Sequence, residues 1–131
     1  MMTDPIADML TRIRNAMNAR NPKTEIPCSK LKIELARILK EQGYIANYRV
    51  AQEGVKSTIK VYLKYRPDSR PVITKIDRVS KPGRRVFADS KHIPLVIGGM
   101  GVNILTTSRG VMTGKQATKM GVGGEILCSL Y

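Results

Sequence analysis

From Pro5 onward the apolar residues Ile6, Met9, Leu10, Ile13 and Met17 recur at helical spacing, while Arg12 and Asn15 point away from that stripe. Asp4-Pro5 supplies the start, a capping carboxylate followed by proline in the first turn, and Pro22 in "NARNP" marks the stop. After a short extended piece, "TEIPC", Ser29 is placed to cap a second helix. Its stripe is Leu31, Leu35, Ile38 and Leu39, and Gly43 closes it. The period then changes from helical to two. In "VKSTIKVYLKY" Val55, Ser57, Ile59, Val61, Leu63 and Tyr65 fall on one face, and Lys56, Thr58, Lys60, Tyr62 and Lys64 on the other. Paired with "YIANYRVA" across Glu53-Gly54, this predicts an antiparallel hairpin whose apolar face two helices can cover. The lysine row on the opposite face is, in its ordinary role, a solvated strand face that discourages edge pairing.

"RPDSRP" interrupts the alternation and divides the chain into an expected N-terminal α+β lobe, 1–66, and a C-terminal lobe, 67–131. In the second lobe "VITKIDRVS" reads as a strand and "KPGRRVF" as a basic turn leading into another. "ADSKHIP" reads as a short helix or loop. "VNILTTS" and "GVMTG" read as strands about a turn, "GKQATKMG" as one short helix capped by Thr113, and "GEILCSLY" as a terminal strand. The fold class is therefore α+β in two small lobes: two helices on a short antiparallel sheet, then a mostly β lobe with one short helix.

Composition adds one strong constraint. A chain of 131 residues that is 42% hydrophobic and 25% charged is suited to burying a core. It contains no apolar run long enough for a membrane span, and "MMTDPIADML" lacks the basic-then-apolar order of a secretory signal. Cys28 and Cys128 are the only cysteines, far apart and outside any metal spacing, which suggests free thiols in a reducing, cytoplasmic setting. Twenty-three Lys and Arg against ten Asp and Glu leave a formal charge of +13. Such an excess opposes compaction by self-repulsion and calls for a polyanion. A membrane surface would need a basic amphipathic helix with bulky apolar anchors, and none is present. Nucleic acid remains.

The stretch "TTSRGVMTGKQAT", Thr106–Thr118, is the best candidate site. It is not a phosphate loop: only three residues separate Gly110 from Gly114-Lys115, and Gln116 stands where a hydroxyl is needed. "GGMGVN" likewise lacks the third glycine of a dinucleotide fingerprint. A nucleophile would need a base, and the only histidine, His92, has no motif around it. One histidine and two scattered cysteines do not make a metal site, so neither an enzyme nor a cofactor is expected. Thr106, Thr107 and Ser108 can donate to and accept from phosphates, ribose hydroxyls or base edges, with Arg109 adding charge and Gly110 allowing close approach. The alternative is an ordinary polar strand end and turn. With no recognition helix for a DNA major groove, loops carrying hydroxyls favour RNA. A sequence-nonspecific DNA-binding or architectural protein and a small RNA-modifying enzyme stay open as rivals.

"DPIADMLTRIRNA", "SKLKIELARILKEQGYI" and "TTSRGVMTGKQATKMGVGGEILCSLY" together resemble the bacterial family of small-subunit ribosomal protein eight, over essentially the whole chain. The resemblance implies a two-lobed protein that binds the central domain of small-subunit rRNA directly, beside other small-subunit ribosomal proteins. It also implies a monomer outside the ribosome that represses its own operon mRNA. The family's hydroxyl loop falls on Thr106, Thr107 and Ser108, with Thr106 in place of the usual serine. Gly123, Gly124 and Glu125 would lie beside that loop. The "KPG" turn falls on Lys81, Pro82 and Gly83, followed by Arg84 and Arg85. Phe87 takes a position that is commonly tyrosine. Thr3, Asn15 and Lys30 resemble first-lobe positions that touch RNA in relatives.

Overall fold

The computed structural model describes residues 4–131. Contacts divide it into two compact units, one Ala7–Ile73, the other Thr74–Tyr131 together with the described residues ahead of Ala7. The first helix, α1 (Pro5–Asn18), buries Ile6, Met9, Leu10, Ile13 and Met17, the stripe expected from their spacing.

In the first unit β1 (Lys23–Pro27) leads into α2 (Lys30–Glu41), then β2 (Ile45–Glu53) and β3 (Lys56–Leu63). The Ser29 hydroxyl accepts from the Lys32 amide at 3.2 Å to open α2. Gly43, at φ 81°, closes it, because only there can the Gly43 and Tyr44 amides turn back to the Lys40 and Leu39 carbonyls at 3.0 and 2.8 Å. The buried stripe differs from expectation at one end. Leu31 is only half-buried, whereas Lys32 is 5% exposed, its stem covered and its Nζ donating to the Pro27 carbonyl at 3.1 Å.

The three strands are antiparallel in the order β1-β3-β2, so the "TEIPC" segment adds a strand beyond the expected hairpin. Ile26, Ile59 and Val61 are fully buried on the inner face. Because β3 is the central strand, its lysine row cannot serve to block edge pairing.

The second unit is a five-stranded antiparallel sheet. It is built from β4 (Ile76–Arg78), β5 (Phe87–Ala88), β6 (Val102–Thr107), β7 (Gly110–Thr113) and β8 (Gly124–Leu130), with α3 (Gly114–Met120) between the last two. The order is β4-β8-β6-β7, and β5 also pairs with β8. Leu105, Met112, Ala117 and Ile126 form a core under α3, covered by Val86, Ile93 and Val122. Thr113 and Gln116 open α3 with reciprocal hydrogen bonds, each side chain accepting from the other's backbone amide, at 3.2 and 3.0 Å. The strand expected across "VITKIDRVS" is regular only over Ile76–Arg78. On either side the chain keeps to β8 by irregular bonds, Thr74 and Lys75 to the Tyr131 carbonyl and Val79 and Ser80 to those of Leu127 and Ile126. Of "ADSKHIP", Ala88 ends β5 and the rest is a loop. Asp4 accepts from Arg78 Nε at 3.1 Å, and the same guanidinium donates to the Leu127 carbonyl at 2.6 Å.

Cys28 and Cys128 are both free. Burial pushes the Cys128 thiol up to about 12, against a smaller lowering by Arg78. No helix among the described residues is long and apolar enough to cross a membrane.

Candidate nucleic-acid interface

Strands β6 and β7 form a hairpin whose tip is Ser108-Arg109, closed by the pair Thr107 and Gly110. Neither tip residue takes a positive φ; Gly110 does, at 113°, a conformation that favours glycine. Gly110 is thus required by the turn itself. The three hydroxyls are not equivalent. Thr107 Oγ1 donates to the Gly110 carbonyl at 2.8 Å and accepts from the Arg109 amide at 3.1 Å, so it holds the tip in shape. The hydroxyls of Thr106 and Ser108 have no partner among the described residues, and Ser108 and Arg109 are exposed.

The register sets what lies beside them. Glu125 on β8 is opposite both Phe87 on β5 and Thr106 on β6, and Thr106 is in turn opposite Val111 on β7. Directly paired residues share a face, so Phe87, Glu125, Thr106 and Val111 form one row across four strands. Phe87 is 68% exposed; the chain's only phenylalanine lies outside the core and presents its ring at the end of that row. Gly124 occupies the next position, where a Cβ would fall onto the Thr106 carbonyl oxygen and within 3.0 Å of Thr107 Cγ2. A Cβ on Gly123 would strike the backbone of Ala88-Asp89. Both glycines let strands approach one another closely.

Glu125 binds side chains and forms a knot. Its Oε2 accepts from the Ser80 hydroxyl at 2.5 Å and from Arg85 Nη1 at 2.9 Å, and Ser80 Oγ accepts from the Val86 amide at 3.1 Å. Burial alone would raise the Glu125 carboxyl. The Ser80 hydrogen bond, then Arg85, then the field of Arg78 outweigh it and hold the group below its ordinary value. The carboxylate's charge is thereby offset from within the unit. The knot also anchors the turn Lys81–Arg84, closed by mutual backbone bonds of 3.0 and 2.9 Å between those two residues. Lys81 and Arg84 are exposed and have no ion-pair partner among the described residues, whereas Arg85 is engaged by Glu125.

The family model described as Ribosomal protein S8 matches residues 4–131. The chain is also 63% identical over 131 residues to the small ribosomal subunit protein uS8 of Solibacter usitatus, covering all of both chains. To the uS8 of Koribacter versatilis it is 58% identical, covering all of this chain and 98% of the relative. The uS8 of Thermodesulfovibrio yellowstonii is 50% identical, again over all of both chains. The chain belongs to the ribosomal protein S8 family.

Of the residues that the sequence singled out, Phe87, Glu125, Thr106 to Gly110 and the Lys81–Arg85 turn come together on one sheet. Asn15 and Lys30 are exposed in the first unit, on α1 and at the start of α2. Thr3 lies outside the described residues. Sequence reasoning missed Ser80, which is fully buried at the centre of the Glu125 knot. Ser80 stands 45 positions from Glu125, so no local spacing could reveal the contact.

Proposed function

We propose that this chain is a structural protein of the small ribosomal subunit that binds small-subunit rRNA directly through the second unit's sheet. Family membership supports the assembly. The observation that carries the binding surface is the pair of hydroxyls, Thr106 and Ser108, without a partner among the described residues, beside the exposed Phe87 ring and the cations Lys81, Arg84 and Arg109, which have no ion pair among those residues. Cations neutralise phosphates and give salt-dependent affinity. The hydroxyls discriminate, because a polar group left unpaired against the wrong RNA costs about 1–3 kcal/mol. Phe87 stacks on an unpaired base, and Thr107 holds the tip rather than reading the RNA.

On this reading the protein works in the cytoplasm within the ribosome, among other small-subunit proteins. Its own operon mRNA is bound by the same surface where that RNA imitates the rRNA site. Footprinting on naked small-subunit rRNA tests the proposal. Ser108→Ala is expected to weaken protection of the cognate site while leaving the salt slope nearly unchanged, and Arg84→Ala to flatten that slope. Equal losses for Ser108→Ala on cognate rRNA and on scrambled RNA would refute the role of the hydroxyls. Equal competition by duplex DNA would favour a nonspecific DNA-binding protein instead.

A further inference from the structure

The lysine row of β3 is left unexplained once β3 is seen to be a central strand, and its surroundings give it a different meaning. On the outer face Lys60 is paired with Glu25 of β1 on one side and with Arg49 of β2 on the other. Like charges directly opposite in an antiparallel sheet are destabilising. The one carboxylate in that row, Glu25, reaches Lys60 only at 4.0 Å. In the next outer-face row Tyr62 has Lys23 on one side and Asn47 on the other. Lys56 begins the strand opposite Glu53 of β2, with no ion pair between them among the described residues, and Lys64 follows the strand. Lys23, Arg49, Lys56 and Lys64 are all exposed and have no ion-pair partner among the described residues. The face therefore carries half-buried Tyr62 on its central strand and, around it, four exposed cations with no ion pair among the described residues.

We propose that the outer face of the β1-β3-β2 sheet is a second RNA-binding surface: Lys23, Arg49, Lys56, Lys60 and Lys64 contact phosphates, and a base stacks on Tyr62. The charge selects a polyanion. The aromatic ring on the central strand, with the Asn47 amide beside it, favours one that carries bases over an acidic protein segment. A purely solvating coat would place a carboxylate opposite every cation; here Glu53 faces Lys56 and Glu25 faces Lys60, but Arg49 has Lys60 opposite it. That pair sets two cations side by side, a cost that Glu25 at 4.0 Å from Lys60 offsets in part and that a bound polyanion relieves. The inference concerns the first unit and adds to the contact proposed for the second.

Two variants of the full chain test it. Lys23→Gln, Arg49→Gln, Lys56→Gln and Lys64→Gln combined remove four exposed cations and no hydrogen bond from the structure. The variant is expected to melt no lower than the parent, since repulsion is relieved. Its log Kd against log salt for small-subunit rRNA is expected to be shallower by about 3, at 0.7–0.9 per phosphate contact. An unchanged slope would overturn the proposal. The chain contains no tryptophan, so Tyr62→Trp places a single indole emitter on the face. Polyuridylate is expected to quench it and polyglutamate to leave it unchanged. Quenching by polyglutamate alone would overturn the proposal in favour of an acidic protein partner. The polyuridylate arm does not depend on cognate rRNA, so a protein that failed to select small-subunit rRNA would sink the proposed function without deciding this face.

Discussion

Ser80→Ala isolates the knot beneath the basic turn. In the structure the Ser80 hydroxyl is fully buried, donates to Glu125 at 2.5 Å and accepts from the Val86 amide at 3.1 Å. Losing a hydrogen bond to a charged group costs about 1.5–3 kcal/mol, and a stranded amide adds about 1 kcal/mol. Arg85 still contacts the carboxylate, so a total of about 3 kcal/mol is expected, read by urea unfolding near neutral pH with m unchanged. The pH dependence is the sharper check. Glu125 is held below its ordinary value, so its contribution to stability is full above the unfolded-state value and is lost as pH falls through the lower folded-state one. Removing the Ser80 hydroxyl deletes one of the two side-chain hydrogen bonds that lower it. The gap between parent and variant should therefore be widest near neutral pH and shrink once Glu125 is protonated. A gap below about 0.5 kcal/mol at neutral pH, the range of an ordinary surface change, would refute the reasoning. So would a gap that is the same at pH values on both sides of the carboxylate range.

Other substitutions separate shape from contact. Gly124→Ala should lower the melting temperature sharply, because the new Cβ meets the Thr106 carbonyl, whereas Gly83→Ala, with open space and no positive φ, should leave it nearly unchanged. Thr113→Ala removes one side of the α3 cap and is expected to cost about 0.5–2 kcal/mol in denaturant unfolding. Phe87→Ala should leave stability close to the parent, since the ring is exposed, yet weaken rRNA binding by about 1–3 kcal/mol in a filter or footprinting titration. Equal affinity for the two proteins would remove Phe87 from the interface.

Several elements were legible because their signals are local. The α1 stripe, the Ser29 cap, the Gly43 stop and the Thr113 cap each depend on residues within a few positions of one another, where backbone geometry couples spacing directly to structure. Lys32 was left out of the α2 stripe because polarity at its ammonium hides a stem long enough to be buried. Within the candidate site, the sequence identified a run of hydroxyls but not their division of labour. Thr107 donates to the Gly110 carbonyl, whereas the Thr106 and Ser108 hydroxyls have no partner among the described residues.

What the sequence determined by itself was the α+β class, the order of the main helices and strands, a strong excess of positive charge and the polar tip between β6 and β7. Only the tertiary structure decided which strand became central, which face Phe87 joined, and that Glu125 would be occupied by Ser80 and Arg85. Those outcomes depend on sheet register between segments as much as 45 positions apart. A period-two pattern fixes which side chains share a strand's face but not which strand lies alongside it.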